Sequence, residues 1–221
     1  MSLPVLHIGS KNYSSWSMRP WLALAWAQIP FRENVLALLP RGSGPNAAFA
    51  AISPTGQVPA LELADGQVIW DSLAISEWAA EQRPEALLWP AEANLRALAR
   101  SAACEMHAGF AALRRALPMN LRRRAEPRVL DAEVQGQVAR IIALWAQCQA
   151  AAGAGPYLFG ARPGVADAFF APVATRLRTY GVPLPAAAQA YVEAICAEDS
   201  FRAWELAALA DPLRLQDMDA V

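Results

Sequence analysis

The chain has 221 residues, enough for a substantial core in one large domain or two small ones. Its 19 basic and 20 acidic side chains leave a formal net charge of −1, which gives no general attraction for nucleic acid or anionic membranes. No apolar run approaches the roughly 18 residues that span a bilayer, and the N-terminus lacks the pattern of a signal peptide. These features exclude nucleic acid and membrane as expected partners.

The first 84 residues alternate strand-like and helix-like stretches. Apolar runs predict strands over 5–9, 31–38, 58–63 and 67–70, the last two joined by an Asp65-Gly66 hairpin turn. Helices are predicted from Trp21 onward, over 47–52 and over 72–82, with a polar loop at 13–17 and with Pro20 in the first turn of the first helix. This order predicts a compact α/β layer with a mixed sheet.

Nearly everything after this layer is predicted to be helical. Breaks that contain proline or glycine separate helices expected over 92–117, 131–152, 166–179, 187–197 and 201–209. We therefore predict an α/β N-terminal domain over 1–84, a linker over 85–90 and an all-α C-terminal domain over 91–221.

The three cysteines show no pattern that points to chemistry. Cys104, Cys148 and Cys196 are odd in number and widely spaced, and they form neither a CxxC pair nor a metal-ligand spacing. The sequence predicts buried or partly buried free thiols in a reducing cytoplasm and no metal site.

A first motif surrounds Pro59, which stands where a strand is expected to begin. Proline cannot donate to a sheet ladder. One interpretation is a cis bond after Val58 that turns the Val58 backbone outward, where its N–H and C=O pair with an extended peptide as an added strand would. The other interpretation is an ordinary trans proline that opens an edge strand.

A second motif, Asp71-Ser72, lies at the start of the helix predicted over 72–82. Either residue could simply cap the free backbone N–H groups. Alternatively, the cap and the helix end together hold a ligand carboxylate, while Asp71 accepts from a ligand ammonium. The free end of an amino acid carries both charges on one carbon, so such a corner would suit it.

A third motif, Ser14-Ser15, leads into the first helix. A hydroxyl that donates to a sulfur anion favours the thiolate over the thiol, and the positive end of a helix dipole adds to this effect. The alternative is serine capping without chemistry.

Together and in this order, the three motifs resemble the glutathione transferase family over the whole chain, and zeta-type and related bacterial members in particular. The resemblance implies a thioredoxin-like N-terminal domain that binds glutathione, a helical C-terminal domain and a cytoplasmic homodimer. It implies that Ser14 holds the glutathione thiolate, with Ser15 as the alternative. It further implies that Val58–Pro59 clamps the cysteinyl part and that Asp71 and Ser72 grip the γ-glutamyl end.

The resemblance also extends to weaker candidates. Gln57 and Trp16 are expected to contact glutathione. The second-substrate pocket, which the family builds on the first long helix of the C-terminal domain, is expected to include Met106, His107 and Phe110.

Two positions depart from the family pattern. The motif Val165–Phe169 resembles a helix-entry motif in which Asp167 serves folding, but Gly164 stands where the family has Ser or Thr and forfeits the side-chain cap. Trp16 stands where zeta-type members have a cysteine. That change puts the isomerase activity of zeta-type members in doubt for this chain and argues against thiol transfer, which needs a cysteine in this loop.

The resemblance predicts a glutathione transferase that activates the glutathione thiol for attack on a small hydrophobic electrophile, as in detoxification, with glutathione as co-substrate and no metal. A glutathione-dependent isomerase or peroxidase is the alternative that differs only in substrate. A non-catalytic regulatory or binding protein of the same fold is the alternative outside enzymology.

Overall fold

The computed structural model describes residues 2–40, 42–124 and 129–220. The elements of its N-terminal layer are β1 (Val5–Gly9), α1 (Ser15–Trp26), β2 (Arg32–Leu36), α2 (Ala47–Ala50), β3 (Ala60–Glu62), β4 (Val68–Ile69) and α3 (Ser72–Gln82). The four strands form one sheet in the order β2-β1-β3-β4, in which β2 is parallel to β1 and β3 is antiparallel to both β1 and β4. The mixed sheet predicted from the sequence is confirmed.

The first helix begins earlier than the sequence predicts. α1 starts at Ser15 and is capped by Ser14, so part of the predicted polar loop is in fact the first helical turn. The placement of Pro20 in the first turn was therefore wrong, because Pro20 lies inside the helix. The helix tolerates the missing N–H because the buried side chains of Met18 and Leu22 hold it in the core on either side of the proline.

The C-terminal part is helical, as predicted. A 3-10 turn (Pro84–Ala86) precedes α4 (Ala93–Ala108), α5 (Ala111–Ala116), α6 (Ala132–Ala152), α7 (Val165–Thr179), α8 (Ala186–Ala197), α9 (Asp199–Ala210) and α10 (Gln216–Asp219). The short α10 was not predicted. α7 is buried along nearly its whole length and packs against α1, α4 and α8, so it joins the two parts of the chain.

The single helix predicted over 92–117 is wrong. The chain breaks at Gly109, whose backbone is extended, and at Phe110, whose φ of 60° lies in the left-handed region. A Cβ at Gly109 would lie 2.7 Å from the Glu105 carbonyl oxygen, so glycine is required for this close approach. The break separates α5 from α4, and the guanidinium carbon of Arg114 on α5 lies 5.0 Å from the centre of the Trp16 ring on α1.

The glycine at position 164, where the family has Ser or Thr, is explained by a close backbone contact. A Cβ there would lie 2.5 Å from the carbonyl oxygen of Leu88, which accepts the Val165 N–H at 2.9 Å. The side-chain cap is therefore given up for a close backbone contact. Asp167 takes over part of the capping, because its carboxylate accepts the N–H groups of Gly164 at 2.9 Å and Leu158 at 3.0 Å.

None of the helices in the described parts of the chain combines the length and apolarity that a membrane crossing requires.

The three cysteines differ in exposure. Cys148 is buried and Cys196 partly buried, as predicted, but Cys104 is exposed, so the expectation for that thiol was wrong. Cys104 lies on the outer side of α4, which buries its alanines at 99, 102 and 103 instead.

Candidate active site

The three sequence motifs meet at one cavity of about 1020 Å³ on the N-terminal layer. It lies between the start of α1, the segment before β3 and the start of α3. All eight candidate residues from this part of the sequence line it: Ser14, Ser15, Trp16, Gln57, Val58, Pro59, Asp71 and Ser72.

Ser14 stands at the N-terminus of α1 with its hydroxyl in a hydrogen-bonded chain. Ser14 Oγ lies 2.7 Å from Ser17 Oγ, which accepts the backbone N–H of Gly9 at 3.1 Å. Ser14 Oγ also accepts the backbone N–H of Ser17 at 3.4 Å, and either hydroxyl can donate to the other. With Ser17 as the donor, Ser14 can donate its proton into the cavity, beside the positive end of the helix dipole.

Ser15 is held differently. Its Oγ accepts a hydrogen bond from Arg176 Nη2 at 3.2 Å, across the contact between α1 and α7. Both serines are almost buried, at 7% exposure. Ser15 therefore sits beside a cation that would favour a nearby anion, whereas Ser14 lies at the cap of α1 and is hydrogen-bonded to Ser17.

The Val58–Pro59 bond is cis, as one of the two interpretations of the sequence expected. Val58 is half-buried and lines the cavity, and within the described residues its backbone N–H and C=O have no hydrogen-bond partner. Gln57 beside it is exposed. The Val58 backbone is thus available to a peptide-like ligand in the cavity.

The sequence left Asp71 and Ser72 open between capping the helix and binding a ligand, and only Asp71 caps α3 in the structure. Asp71 is the cap of α3, since its Oδ1 accepts the Leu73 N–H at 2.9 Å. Ser72 does not cap. Its side chain is fully buried, and its Oγ has no hydrogen-bond partner among the described residues. The bond between Trp70 and Asp71 is also cis.

The residues expected to bind the second substrate occupy different surroundings. Met106 is fully buried in the core, and Phe110 is 8% exposed at the start of α5; neither lines the cavity. His107 reaches the edge of the site, where its Nε2 lies 3.0 Å from Asp71 Oδ2 and its ring meets Trp16 edge-on at 5.1 Å.

A group of arginines that the sequence analysis missed surrounds Trp16. The guanidinium carbon of Arg19 lies 4.1 Å from the centre of the Trp16 ring, and that of Arg114 lies 5.0 Å from it. Arg19 is fully buried, and its Nε and Nη1 have no hydrogen-bond partner among the described residues; the same is true of Arg114 Nε. A basic residue inside the apolar run of α1 was the sequence signal for this group.

The electrostatics of this group are unusual for arginine. Burial lowers the pKa of Arg19 well below its usual value, and the positive charges of Arg114 and Arg176 lower it further. Burial also lowers the pKa of Arg114. Clustered, partly unpaired guanidinium groups are costly unless an anion joins them, so the cluster is suited to bind a carboxylate.

A metal centre finds no support in the described residues, which contain no group of three or more His, Cys, Asp or Glu side chains placed to hold an ion.

Comparison with known proteins shows the family of the chain. The family model described as "Glutathione S-transferase, N-terminal domain" matches residues 13–82, and "Glutathione S-transferase, C-terminal domain" matches residues 131–205. The maleylpyruvate isomerase of Ralstonia sp is 31% identical over 215 residues, which cover 87% of this chain and 94% of the relative.

Two solved structures extend the similarity. A maleylpyruvate isomerase described as a bacterial zeta-class glutathione S-transferase superposes with a TM-score of 0.68 at 26% identity, over 94% of this chain and 98% of that one. A glutathione transferase homologue from Sulfitobacter with bound glutathione superposes with a TM-score of 0.64 at 21% identity, over 92% and 97% of the two chains.

The structure has a thioredoxin-like domain followed by a helical domain, with a cavity on the first that the three sequence motifs line. The chain belongs to the glutathione S-transferase family of enzymes.

Proposed function

We propose that this protein binds glutathione in the cavity, ionises its thiol and adds the thiolate to a small electrophile that carries a carboxylate. The observation that carries the first part is the buried, unpartnered Ser72 Oγ beside Asp71. A buried hydroxyl without a partner is costly, and the carboxylate of a γ-glutamyl group would supply one. Asp71 would take the ammonium on the same carbon.

The remainder of glutathione fits the same cavity. The unpaired N–H and C=O of Val58 offer an extended peptide two backbone hydrogen bonds. The thiol then comes to the start of α1, where Ser14 donates to the sulfur and the helix dipole favours the anion. Catalysis follows from a thiolate formed at neutral pH and held near the electrophile.

The choice of an anionic electrophile rests on the arginines. Arg19 and Arg114 carry unpaired N–H groups beside Trp16, which a hydrophobic substrate would leave unpaired. This favours a carboxylate over the hydrophobic electrophile predicted from the sequence. The relatives named as isomerases of maleyl compounds support glutathione-dependent isomerisation, in which the thiolate adds, a bond rotates and the thiolate leaves.

The test of glutathione binding is a calorimetric titration with reduced glutathione in two buffers of different ionisation enthalpy. We expect binding with a buffer-dependent heat that reports proton release from the thiol. Binding without proton release would show that Ser14 does not stabilise a thiolate. Absence of binding at millimolar glutathione would refute the proposal and favour the non-catalytic alternative.

The homodimer, the cytoplasmic location and the domain limits at 84 and 91 stay predictions. The first is tested by light scattering of the purified protein. A dimer would agree with the family resemblance, whereas a monomer would contradict it.

A further inference from the structure

Two parts of the chain hold the carboxylate of Asp71. Its Oδ1 accepts the backbone N–H of Leu73 at 2.9 Å and is committed to capping α3. Its Oδ2 lies 3.0 Å from Nε2 of His107, which is on α4 in the helical part. The Asp71 oxygen that does not cap the helix is therefore in contact with a histidine in the free protein.

The surroundings of His107 favour its neutral form. Burial lowers the pKa of His107, and the charges of Arg19 and Arg114 add to this effect against the opposing charge of Asp71. A neutral ring that donates from Nε2 to Asp71 carries no proton on Nδ1. His107 Nδ1 is buried and has no hydrogen-bond partner among the described residues, which agrees with an unprotonated nitrogen.

We propose that His107 is a placeholder for the α-ammonium of glutathione. It occupies Asp71 in the free protein, leaves when glutathione binds, and then donates from Nε2 to the anionic second substrate beside Arg19 and Arg114. The inference rests on the proposed function, since it assumes that glutathione binds at Asp71.

The energetic reason is the difference between the two donors. Both donors bind the same ionised carboxylate, but an ammonium adds a full opposite charge that a neutral imidazole lacks, so its attraction to Asp71 is stronger. Glutathione is therefore expected to displace His107 from the carboxylate. The released ring remains between Trp16 and Phe169, whose rings lie 5.1 Å and 6.0 Å from it, close to the guanidinium groups of Arg19 and Arg114.

Displacement of this kind predicts an order of binding. Before glutathione arrives, the donor that the second substrate needs is engaged on Asp71. Glutathione frees it, so each ligand strengthens the binding of the other by the same factor. We expect a small dicarboxylate such as succinate to bind about 3- to 10-fold more tightly in the presence of S-methylglutathione, which keeps the ammonium but cannot react.

The chain offers a direct spectroscopic readout because it contains only two histidines. His7 is the internal control, since it lies in β1 with its nitrogens held by Glu62 at 3.1 Å and Asn34 at 2.9 Å. In the full-length protein with ¹⁵N-labelled histidine, S-methylglutathione should shift the ring nitrogens of His107 and leave those of His7 unchanged. The N-acetylated analogue has no ammonium and should leave His107 in place.

Substitution separates the placeholder role from a structural one. His107→Phe keeps a ring against Trp16 and Phe169 but cannot donate. It should bind S-methylglutathione about 3- to 10-fold more tightly, bind the N-acetylated analogue unchanged, and lose the coupling to succinate. His107→Gln keeps a donor and should behave like the natural protein, which provides a second measurement if the phenylalanine variant does not fold.

The outcomes distinguish this inference from the proposed function. If calorimetry detects no glutathione binding, the proposed function fails and the inference fails with it. If S-methylglutathione binds while the His107 nitrogens stay unmoved, or if His107→Phe weakens both glutathione analogues equally, the placeholder role alone is refuted.

Discussion

Ser14 Oγ lies 2.7 Å from Ser17 Oγ, one helical turn inside α1. Ser17 in turn accepts the Gly9 N–H at 3.1 Å, so a backbone donor at the end of β1 holds the second hydroxyl in place. When Ser17 donates to Ser14, the Ser14 proton is left for the cavity, and this is the arrangement that the proposed function needs. In the proposed function, Ser17 is therefore a positioning residue for the hydroxyl of Ser14.

The first prediction concerns Ser17. In Ser17→Ala, Ser14 loses its donor, so its own proton is no longer directed at the ligand. We expect the pKa of the bound glutathione thiol to rise and kcat at neutral pH to fall by about tenfold, which corresponds to one hydrogen bond of about 1.4 kcal/mol. A pH profile of thiolate absorbance for bound glutathione measures this.

The control for this change is Ser101→Ala, which removes a hydroxyl that donates to the Ala97 carbonyl oxygen on the exposed side of α4. It should leave the profile unchanged. A Ser17→Ala variant with the thiol pKa of the natural protein would show that Ser14 needs no positioning.

The second prediction separates the two serines. Ser14 lies at the cap of α1, where its Oγ faces the cavity 2.7 Å from Ser17 Oγ, whereas Ser15 lies inside the helix and is held by Arg176 at 3.2 Å. Loss of one preorganised donor to a developing anion costs about 10² to 10³ in kcat, so we expect this loss in Ser14→Ala and a smaller one in Ser15→Ala. Steady-state kinetics with a maleyl-type electrophile measures both, and a larger loss in Ser15→Ala would reverse the assignment.

Part of this site could be predicted because its residues stand at local signals. Helix caps and a proline at a strand entry are visible within a few residues and drew attention to Ser14, Val58 and Asp71. The family resemblance then implied that the three belong to one site, and in the structure all three line one cavity. The elements β1 and α3 were predicted with their observed limits for the same reason.

What could not be predicted depends on contacts between distant segments. The break at Gly109 arises from the close approach of its backbone to Glu105 and from the left-handed backbone of Phe110, which helical periodicity does not show. Without that break, Arg114 cannot be placed near Trp16. The arginine cluster joins α1, α5 and α7, and no spacing within one element indicates it.

The third prediction concerns Arg19. Arg19→Met keeps most of the packing volume but removes a buried guanidinium, of which Nε and Nη1 have no hydrogen-bond partner among the described residues. We expect KM for a carboxylate-bearing electrophile to rise at least tenfold, about 1.4 kcal/mol, with little change for a neutral electrophile. The free energy of unfolding should stay the same or increase, because burial of a charge whose N–H groups are partly unsatisfied destabilises the free protein.

Arg115→Met is the matched control, since Arg115 is exposed on the same short helix as Arg114. It removes one positive charge without touching the cluster and should leave both substrates unaffected. If Arg19→Met weakens neutral and anionic electrophiles alike, the arginine does not recognise the carboxylate.

The fourth prediction concerns Gly164, where the family resemblance would suggest serine as an improvement. Gly164→Ser places a Cβ 2.5 Å from the Leu88 carbonyl oxygen, so we expect a loss of about 1 to 3 kcal/mol in the free energy of unfolding. Gly136→Ala is the matched control, because a Cβ there meets nothing within 4 Å on the exposed side of α6. It should stabilise by roughly 0.5 to 1 kcal/mol. Urea unfolding measures both, and a stabilised Gly164→Ser would contradict the steric argument.

The last prediction concerns pH and Asp167. Burial raises the pKa of this carboxyl from 3.8 to about 6, against the opposing hydrogen bonds from the Leu158 and Gly164 backbones and the Tyr191 hydroxyl. A pKa that is higher in the folded state favours the folded protein below pH 3.8, and this contribution disappears as the pH rises to 6.

The comparison with Asp167→Asn isolates this effect from other carboxylates. The asparagine does not titrate, so the difference in unfolding free energy between the natural protein and the variant should fall by a few kcal/mol between pH 4 and 6, at about 1.4 kcal/mol per pKa unit, and stay level above. Asp199→Asn, at an exposed position, should show no such change over this range. Urea unfolding at intervals of pH measures the difference. If it grows with pH instead, the three hydrogen bonds outweigh burial, and Asp167 serves the fold as a buried carboxylate whose pKa is lowered.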